Sequence, residues 1–523
     1  MNMIILIYDT RGHLNMLQHE WKINPKDTVL VALLLTVLLA LFLINPETIP
    51  AGGGFGFDGV TYARMVAEID IMISEGELSE YYAQRIAPSL MVRGALTTLD
   101  LPLDAANIIN GFRVLNGLLM IVAVGFWMAI AQCMRLTAVG FWVGIAGIVL
   151  TFPNAKQLFY YPVLTDTFAF TIGLAMVWAH LTGRIVLITI IAIVGAFAWQ
   201  MAGLIGMALV ASTLVTNGMP QKAKVNERAG RFIVIIIMLS ALSGLAIGLP
   251  HILGFNLEQI VFGQSFVSDP FLLLLTNIPA LALSACFVFY LLVTAATTRW
   301  EFQTDLRQVA IVIVLLISIS IIPNSVVSTI ANPDIPPPGI SGYIEILKAL
   351  LIVRVREGLV LLSIVSHAVY YGPVFLLFLL LWRRVAHTTV TLGAGFLFVI
   401  AVFSILSVFS ESRFTFMLWP FLVTVVCKVV SETRLPRLTQ GCIAIGAVGF
   451  SKAWLTINQG PWPKPDFEAL FEWPKSVYFS SLGPWMTVQN YIIQGVIVTL
   501  LFALIYATMK WGNAPHSISS REK

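Results

Sequence analysis

The stretch TVLVALLLTVLLALFLI, residues 28–44, decides the fold class because it contains no charged side chain over 17 residues. A helix needs roughly 20 apolar residues to cross the hydrocarbon core of a bilayer. Comparable runs recur from one end of the chain to the other. Inside lipid the backbone must satisfy its own hydrogen bonds, so these runs are predicted to be α-helices. The sequence therefore predicts an all-α, polytopic membrane protein.

The overall composition excludes a soluble protein. Of 523 residues, 58% are hydrophobic and 11% are charged, whereas soluble domains carry roughly 25% charged residues. The net charge of +4 is spread over the connections, which favours membrane orientation over the binding of nucleic acid. The four cysteines form no Cys-x-x-Cys pair, so we predict neither a disulfide framework nor a metal site. We expect no cofactor.

Fourteen apolar segments are predicted to span the membrane. They are 28–44, 107–131, 137–152, 164–182, 185–198, 200–216, 232–250, 271–297, 309–328, 359–381, 388–408, 415–431, 439–455 and 491–509. Cytoplasmic loops are enriched in Lys and Arg, and every short connection on one side is basic if both termini are cytoplasmic. This topology splits 185–216 near Trp199 into two short helices; the alternative is one long tilted helix with an inverted downstream half. We expect the first span to be retained, since no small-residue cleavage site follows it.

The opposite, non-cytoplasmic side collects the polar connections of the chain. They are 45–104, 153–163, 251–270, 329–358 and 456–490. We divide the chain into a module at 1–220, with the predicted catalytic loop 45–104, and a variable transmembrane module at 221–523. We expect no appended soluble domain. This organisation suits an integral, multi-pass protein of a bacterial inner membrane.

The first outer loop combines a glycine-rich run with a helical pattern. The run AGGGFGFDG at 51–59 ends with Asp58 directly before an amphipathic stretch, which we expect to lie on the membrane surface. Its apolar side chains recur at helical spacing: Tyr62, Met65, Val66, Ile69 and Ile73. Gln84 and Arg85 follow in the same loop. Alternatively, Asp58 caps the N-terminus of the helix, and Arg85 extends to lipid headgroups.

Two segments of this loop, FDGVTY at 57–62 and YAQRIAP at 82–88, resemble the first-loop pattern of GT-C type membrane glycosyltransferases. The segment FPNAKQLFYYPVLTD at 152–166 is similar to an outer connection of that superfamily, which ends in an acid. The segment SESRF at 410–414 resembles part of a mannosyltransferase motif, His-Lys-Glu-x-Arg-Phe, although Phe409 and Ser410 replace its His-Lys half. The chain also has no Trp-Trp-Asp-like oligosaccharyltransferase signature.

The resemblance implies inverting transfer of a sugar from a polyprenyl-phosphate-linked donor, with Asp58 as the base that deprotonates the acceptor. Arginine matches phosphate oxygens, so Arg85 and Arg413 are the leading candidates to bind the donor phosphate, ahead of Arg354 and Arg356. The remaining predicted substrate-binding residues are Tyr62, Gln84, Tyr161, Asp166, Gln200 and Glu411. The acceptor is a glycan, a lipid or a protein, and membrane lipids are the other expected partners.

Other interpretations remain open at this point. A transporter or lipid flippase is expected to carry ionisable residues deep within its spans, whereas here they gather at span ends. An O-antigen ligase or polymerase is expected to have a late outer loop rich in Arg and His, but 329–358 contains no His. Single residues have alternative roles too. Tyr161 is alternatively part of an interfacial aromatic belt. Arg413 alternatively forms an ion pair with Glu411, and Gln200 alternatively caps the turn in which it lies.

Overall fold

A computed structural model describes residues 25–217, 270–302, 305–335, 361–458 and 488–512, together with 483 and 486. Most of these residues are helical. The helices are α1 Pro25–Ile44, α2 Gly59–Ser74, α3 Glu80–Ala83, α4 Ile86–Thr98, α5 Ala105–Cys133, α6 Ala138–Ile148, α7 Leu158–Tyr160, α8 Asp166–Leu181, α9 Ile185–Ala196, α10 Met201–Ser212, α11 Pro270–Thr297, α12 Leu306–Ile330, α13 Leu362–Tyr371, α14 Pro373–Thr391, α15 Ala394–Leu406, α16 Trp419–Glu432, α17 Arg437–Ser451 and α18 Val488–Gly512. Two short strands, β1 Val215–Asn217 and β2 Trp300–Phe302, pair antiparallel.

Five of these helices, α1, α5, α12, α14 and α18, are long and apolar enough to cross a membrane. A sixth candidate is the pair formed by α6 and Pro153–Tyr160, which bends by 58°. The architecture is all-α and fits an integral, multi-pass membrane protein. Fourteen crossings and a bacterial inner membrane stay predictions. The predicted span 232–250 and the module boundary at 220 lie outside the described residues.

One end of the helix bundle joins segments that charge bias had assigned to the outer side. Three hydrogen bonds donated by backbone N–H groups link them: Ile49 N to the backbone oxygen of Tyr160 at 2.9 Å, Asn332 N to the backbone oxygen of Leu78 at 2.8 Å, and Ile457 N to the Glu47 side-chain atom Oε1 at 2.9 Å. We call this the site end of the bundle. Four predicted outer connections therefore share one end, which agrees with the alternation of spans predicted from Lys and Arg.

The other end joins segments that were predicted to be cytoplasmic. The backbone N–H of Thr137 donates to Ser431 Oγ at 3.1 Å, and Lys428 Nζ donates to the backbone oxygen of Met134 at 3.4 Å. The β1–β2 pair connects the end of α10 to the segment after α11. The described loops thus fall into two groups, while the orientation of the chain in the membrane stays a prediction.

The run 185–216 folds as two antiparallel helices, α9 and α10, rather than as one long helix. Gly206 approaches Ala192 so closely that a β-carbon on the glycine would lie 2.2 Å from the alanine Cβ. Gly195 and Ala202 make a similar contact nearer the turn. Small side chains permit this close packing, and the split predicted near Trp199 is confirmed.

Two predicted span boundaries and one predicted helix face are wrong. The segment 359–381 is interrupted at Gly372, and Pro373 opens the next helix, since proline favours the first turn. That helix, α14, continues to Thr391, well past the break predicted at 381–388. In α2, Met72 is buried and Ile73 is 38% exposed, so the inward face ends one residue earlier than the apolar pattern predicted.

Candidate functional site

Asp58 lies at the site end of the bundle and is the residue directly before α2. It occupies the N-cap position, but its side chain makes no capping hydrogen bond to α2. The preceding loop turns back on itself at Gly56, which has φ +75°. A β-carbon at Gly56 would lie 2.2 Å from the Tyr161 ring. Glycine at this position therefore allows the Asp58 loop to lie against Tyr161.

Tyr161 fixes the backbone on both sides of Asp58. Its phenol oxygen accepts hydrogen bonds from Phe57 N at 2.7 Å and from Gly59 N at 3.4 Å. The side chain is 4% exposed, which excludes the alternative of an interfacial aromatic belt. Burial raises the pKa of the Tyr161 phenol, and the negative charge of Asp58 adds to the rise. Tyr161 is therefore a neutral support for the Asp58 loop.

The connection that carries Tyr161 is held by a buried side chain of α5. Asn116 Nδ2 donates to the backbone oxygens of Leu158 at 2.9 Å and Pro162 at 2.8 Å. The connection begins with a π-helical turn at Pro153–Gln157 and ends where Asp166 opens α8. This anchoring places Tyr161 and Asp166 at the same edge of the site.

Asp166 and Arg413 form a two-pronged ion pair across 247 residues of sequence. Arg413 Nε donates to Asp166 Oδ1 and Nη2 donates to Oδ2, each at 3.0 Å. The Glu411 Oε1 atom lies 3.9 Å from Arg413 Nη1, so the local Glu411–Arg413 pair is the looser contact. A fork-to-fork pair fixes the orientation of the guanidinium group.

Glu411 is a buried acid beside this pair. Its carboxyl is 4% exposed, and its Oε2 atom has no hydrogen-bond partner. Burial raises the pKa of Glu411 to about 7, with Arg413 opposing the rise and Asp58 adding to it. Near neutral pH the Glu411 carboxyl therefore exchanges readily between its protonated and ionised forms.

The segment that carries Glu411 and Arg413 is held by one face of α13. Ser366 Oγ donates to the backbone oxygen of Ser410. His367 Nδ1 lies 2.8 Å from Ser412 Oγ, and Tyr371 donates its hydroxyl hydrogen to the backbone oxygen of Ser412 at 2.7 Å. These buried contacts give His367 a structural role.

Arg85 approaches the site from the first loop. It is 8% exposed, and its guanidinium carbon lies 3.7 Å from the centre of the Tyr81 ring and 5.5 Å from that of Trp199. Arg85 Nη1 also donates to the backbone oxygen of Tyr81 at 3.1 Å. Arg85 is therefore enclosed by protein rather than extended to lipid headgroups.

The turn between α9 and α10 contacts the same part of the first loop. Gln200 Nε2 donates to Gln84 Oε1, and the Gln200 side chain makes no capping hydrogen bond to its own helix. The role of Gln200 as a turn cap is therefore excluded. Tyr62 is 2% exposed and packs edge-to-face on Tyr82, with ring centres 5.6 Å apart. Tyr62 lies beneath the site rather than on its surface.

Tyr81 marks the point where the charges converge. Burial raises the pKa of its phenol to about 12, with Arg85 and Arg413 opposing the rise and Asp58 adding to it. The Tyr81 phenol thus experiences the charges of one carboxylate and two guanidinium groups, of which Arg413 belongs to a distant part of the chain. Sequence reasoning did not select Tyr81 as a site residue. The sequence signal for Tyr81 was its position four residues before Arg85, because residues four apart lie on one face of a helix.

The structure brings together Asp58, Arg85, Asp166, Glu411 and Arg413, which we call the carboxylate–arginine site. Arg354 and Arg356 lie outside the described residues. A comparison of the chain with protein-family models, with curated proteins and with solved structures finds no match.

Proposed function

We propose that this chain is a membrane glycosyltransferase that moves a sugar from a polyprenyl-phosphate-linked donor to an acceptor hydroxyl. The observation that carries the proposal is the geometry around Tyr161, which holds the Asp58 loop and shares a cavity wall with Asp166. Asp166 in turn fixes Arg413, and Arg85 lies over the Tyr81 ring of the first loop. A carboxylate beside two guanidinium groups suits a reaction that needs a base and a site for a departing phosphate.

Asp58 is the proposed base. The acceptor oxygen attacks the anomeric carbon, the bond from that carbon to the phosphate oxygen breaks, and the acceptor proton passes to the Asp58 carboxylate. The products are the glycosylated acceptor and the polyprenyl phosphate. Asp58 suits this role because its side chain is half-buried, not fully enclosed, and Tyr161 holds the backbone on both sides of it. Direct attack without a covalent intermediate inverts the anomeric configuration.

The two arginines have different proposed roles at the phosphate. Asp166 holds Arg413 through Nε and Nη2, so Arg413 supplies positive charge in a fixed orientation. Arg85 lies over the Tyr81 ring, with its guanidinium carbon 3.7 Å from the ring centre, and is our preferred contact for the phosphate oxygens. Cations placed in advance stabilise the charge that develops on a leaving group. Gln84 and Gln200 are the proposed hydrogen-bonding groups for the acceptor.

Mass spectrometry of lipid-linked and surface glycans tests the proposal in cells lacking the protein. We expect the wild-type chain to restore a missing sugar and Asp58→Asn to leave it missing, at equal membrane levels. Asp70→Asn is the matched control, because Asp70 lies in the same loop with its carboxylate 79% exposed. Restoration by Asp58→Asn would remove Asp58 from the mechanism. Substrate movement into sealed vesicles without a covalent product would instead indicate a transporter or lipid flippase.

A further inference from the structure

A small cavity lies behind Tyr161 and Asp166. Its volume is about 10 Å³, which is room for about one water-sized group. Its walls include Gln157, Tyr161, Asp166 and Phe416. Aromatic, apolar and polar side chains therefore line a space that directly adjoins the carboxylate–arginine site.

Gln157, which lines this cavity, has an unmet requirement for hydrogen bonds. Its side chain is 3% exposed, and neither the amide oxygen nor the amide nitrogen has a hydrogen-bond partner. Buried polar atoms are nearly always paired, because leaving one unpaired costs about 1–3 kcal/mol. A side-chain amide offers both a donor and an acceptor. A hydroxyl group is small enough for the cavity and satisfies both.

We propose that this cavity binds one hydroxyl group of the donor sugar, with Gln157 as the residue that recognises it. The inference rests on the proposed glycosyl transfer and adds a determinant of sugar specificity to it. Asp166 connects the cavity wall to Arg413 through their ion pair, so a sugar hydroxyl here lies close to the proposed phosphate site. Tyr161 connects the cavity to the Asp58 loop. The donor sugar is the part of the substrate that must lie between those two groups.

The size of the cavity makes the proposal selective. Only a single hydroxyl fits, so recognition concerns one position of the sugar ring. A site built to hydrogen-bond a hydroxyl discriminates strongly against the analogue that lacks it, because its own polar groups are then left unpaired. Discrimination among deoxy sugars is therefore the property to measure.

The test measures binding to the purified full chain in detergent by thermal shift titration. Farnesyl phosphate carrying mannose, glucose or galactose is compared with farnesyl phosphate alone, and the tightest-binding hexose is then offered as its monodeoxy derivatives. For the wild type we expect removal of one particular hydroxyl to weaken binding about 10- to 100-fold. Gln157→Leu should bind the parent sugar that much more weakly and no longer distinguish it from that deoxy derivative.

Two further variants keep the test decisive. Gln157→Met repeats it with a different apolar side chain of similar length. Gln440→Leu is the matched control, because Gln440 lies in α17, away from the site. Its side-chain amide donates at 2.9 Å to the backbone oxygen of Leu435, in the connection before that helix. The Gln440→Leu variant should discriminate among the deoxy sugars as the wild type does.

Each outcome separates the two proposals. Equal binding of every deoxy derivative by the wild type, discrimination retained without Gln157, or no binding of any hexose phosphate would overturn the hydroxyl subsite. A cavity that holds only a structural water gives the first of these results. If the chain distinguishes the deoxy sugars through Gln157 but transfers no sugar, the proposed glycosyltransferase activity is contradicted and the hydroxyl subsite is supported. Asp58-dependent transfer without such discrimination would contradict the subsite alone.

Discussion

Glu411 is a carboxyl group whose pKa is raised mainly by burial. Its carboxylate loses water on folding and has only a loose contact with Arg413 at 3.9 Å, so the neutral form is favoured. Because the folded chain holds the proton more tightly than the unfolded chain, stability is greatest when Glu411 is protonated. It declines as pH rises from 4.5, the ordinary pKa, towards about 7, the pKa in the folded chain.

We therefore predict that Glu411→Gln stabilises the protein in a pH-dependent way. The melting temperature of the variant should match that of the wild type near pH 4 and exceed it increasingly up to about pH 7. The shift corresponds to about 3 kcal/mol in the free energy of unfolding at the upper limit. Thermal melts across this range check the prediction, and a difference that stays constant with pH would contradict it.

Gly56 and Gly53 provide a second test at the scale of single residues. Both have positive φ, but only at Gly56 would a β-carbon meet another residue, the Tyr161 ring, while at Gly53 nothing lies within 4 Å. Gly53→Ala therefore measures backbone strain, and Gly56→Ala measures strain and displacement of Tyr161. We expect Gly56→Ala to cost about 1–3 kcal/mol more in stability. Equal melting temperatures for the two variants would contradict the support of the Asp58 loop by Tyr161.

At the scale of elements, the Asp166–Arg413 pair joins the start of α8 to the segment before α16. Asp166→Asn removes the carboxylate that forms the two-pronged pair with the largely buried Arg413, which costs about 3–5 kcal/mol. Asp70→Asn is the control, because the Asp70 carboxylate that pairs with Arg93 is exposed. Exposed ion pairs contribute about 1 kcal/mol or less to stability. Chemical unfolding of both variants checks the prediction. Equal losses of stability would show that the Asp166 pair does not join these elements.

Local sequence patterns predicted several of the elements correctly. The length of the apolar run and its basic flanks required a turn near Trp199, and that turn is present between α9 and α10. The glycine run before Asp58 predicted a loop and then a helix, as the structure has them. The end of α14 was missed because Arg383 and Arg384 suggested a loop, whereas the helix continues past both. Basic residues locate a membrane side and do not terminate a helix.

At the scale of the whole molecule, the site is assembled from distant parts of the chain. The first loop supplies Asp58 and Arg85, the connection before α8 supplies Asp166, and the segment before α16 supplies Glu411 and Arg413. The sequence predicted that these residues share a side of the membrane, because charge bias orders the spans. It did not predict the Asp166–Arg413 pair or the role of Tyr81, since helix packing decides which residues at one end come into contact.

The central claim is that Asp58 removes the acceptor proton during sugar transfer at the carboxylate–arginine site. The most direct measurement is the release of polyprenyl phosphate from a polyprenyl-phosphate-linked sugar by the purified protein in liposomes, with acceptor present, for the wild type and Asp58→Asn. Loss of one general base typically slows a reaction by about 10²- to 10⁴-fold. We predict a loss of that size in Asp58→Asn, with donor binding retained. Equal rates of release from the two proteins would contradict the account.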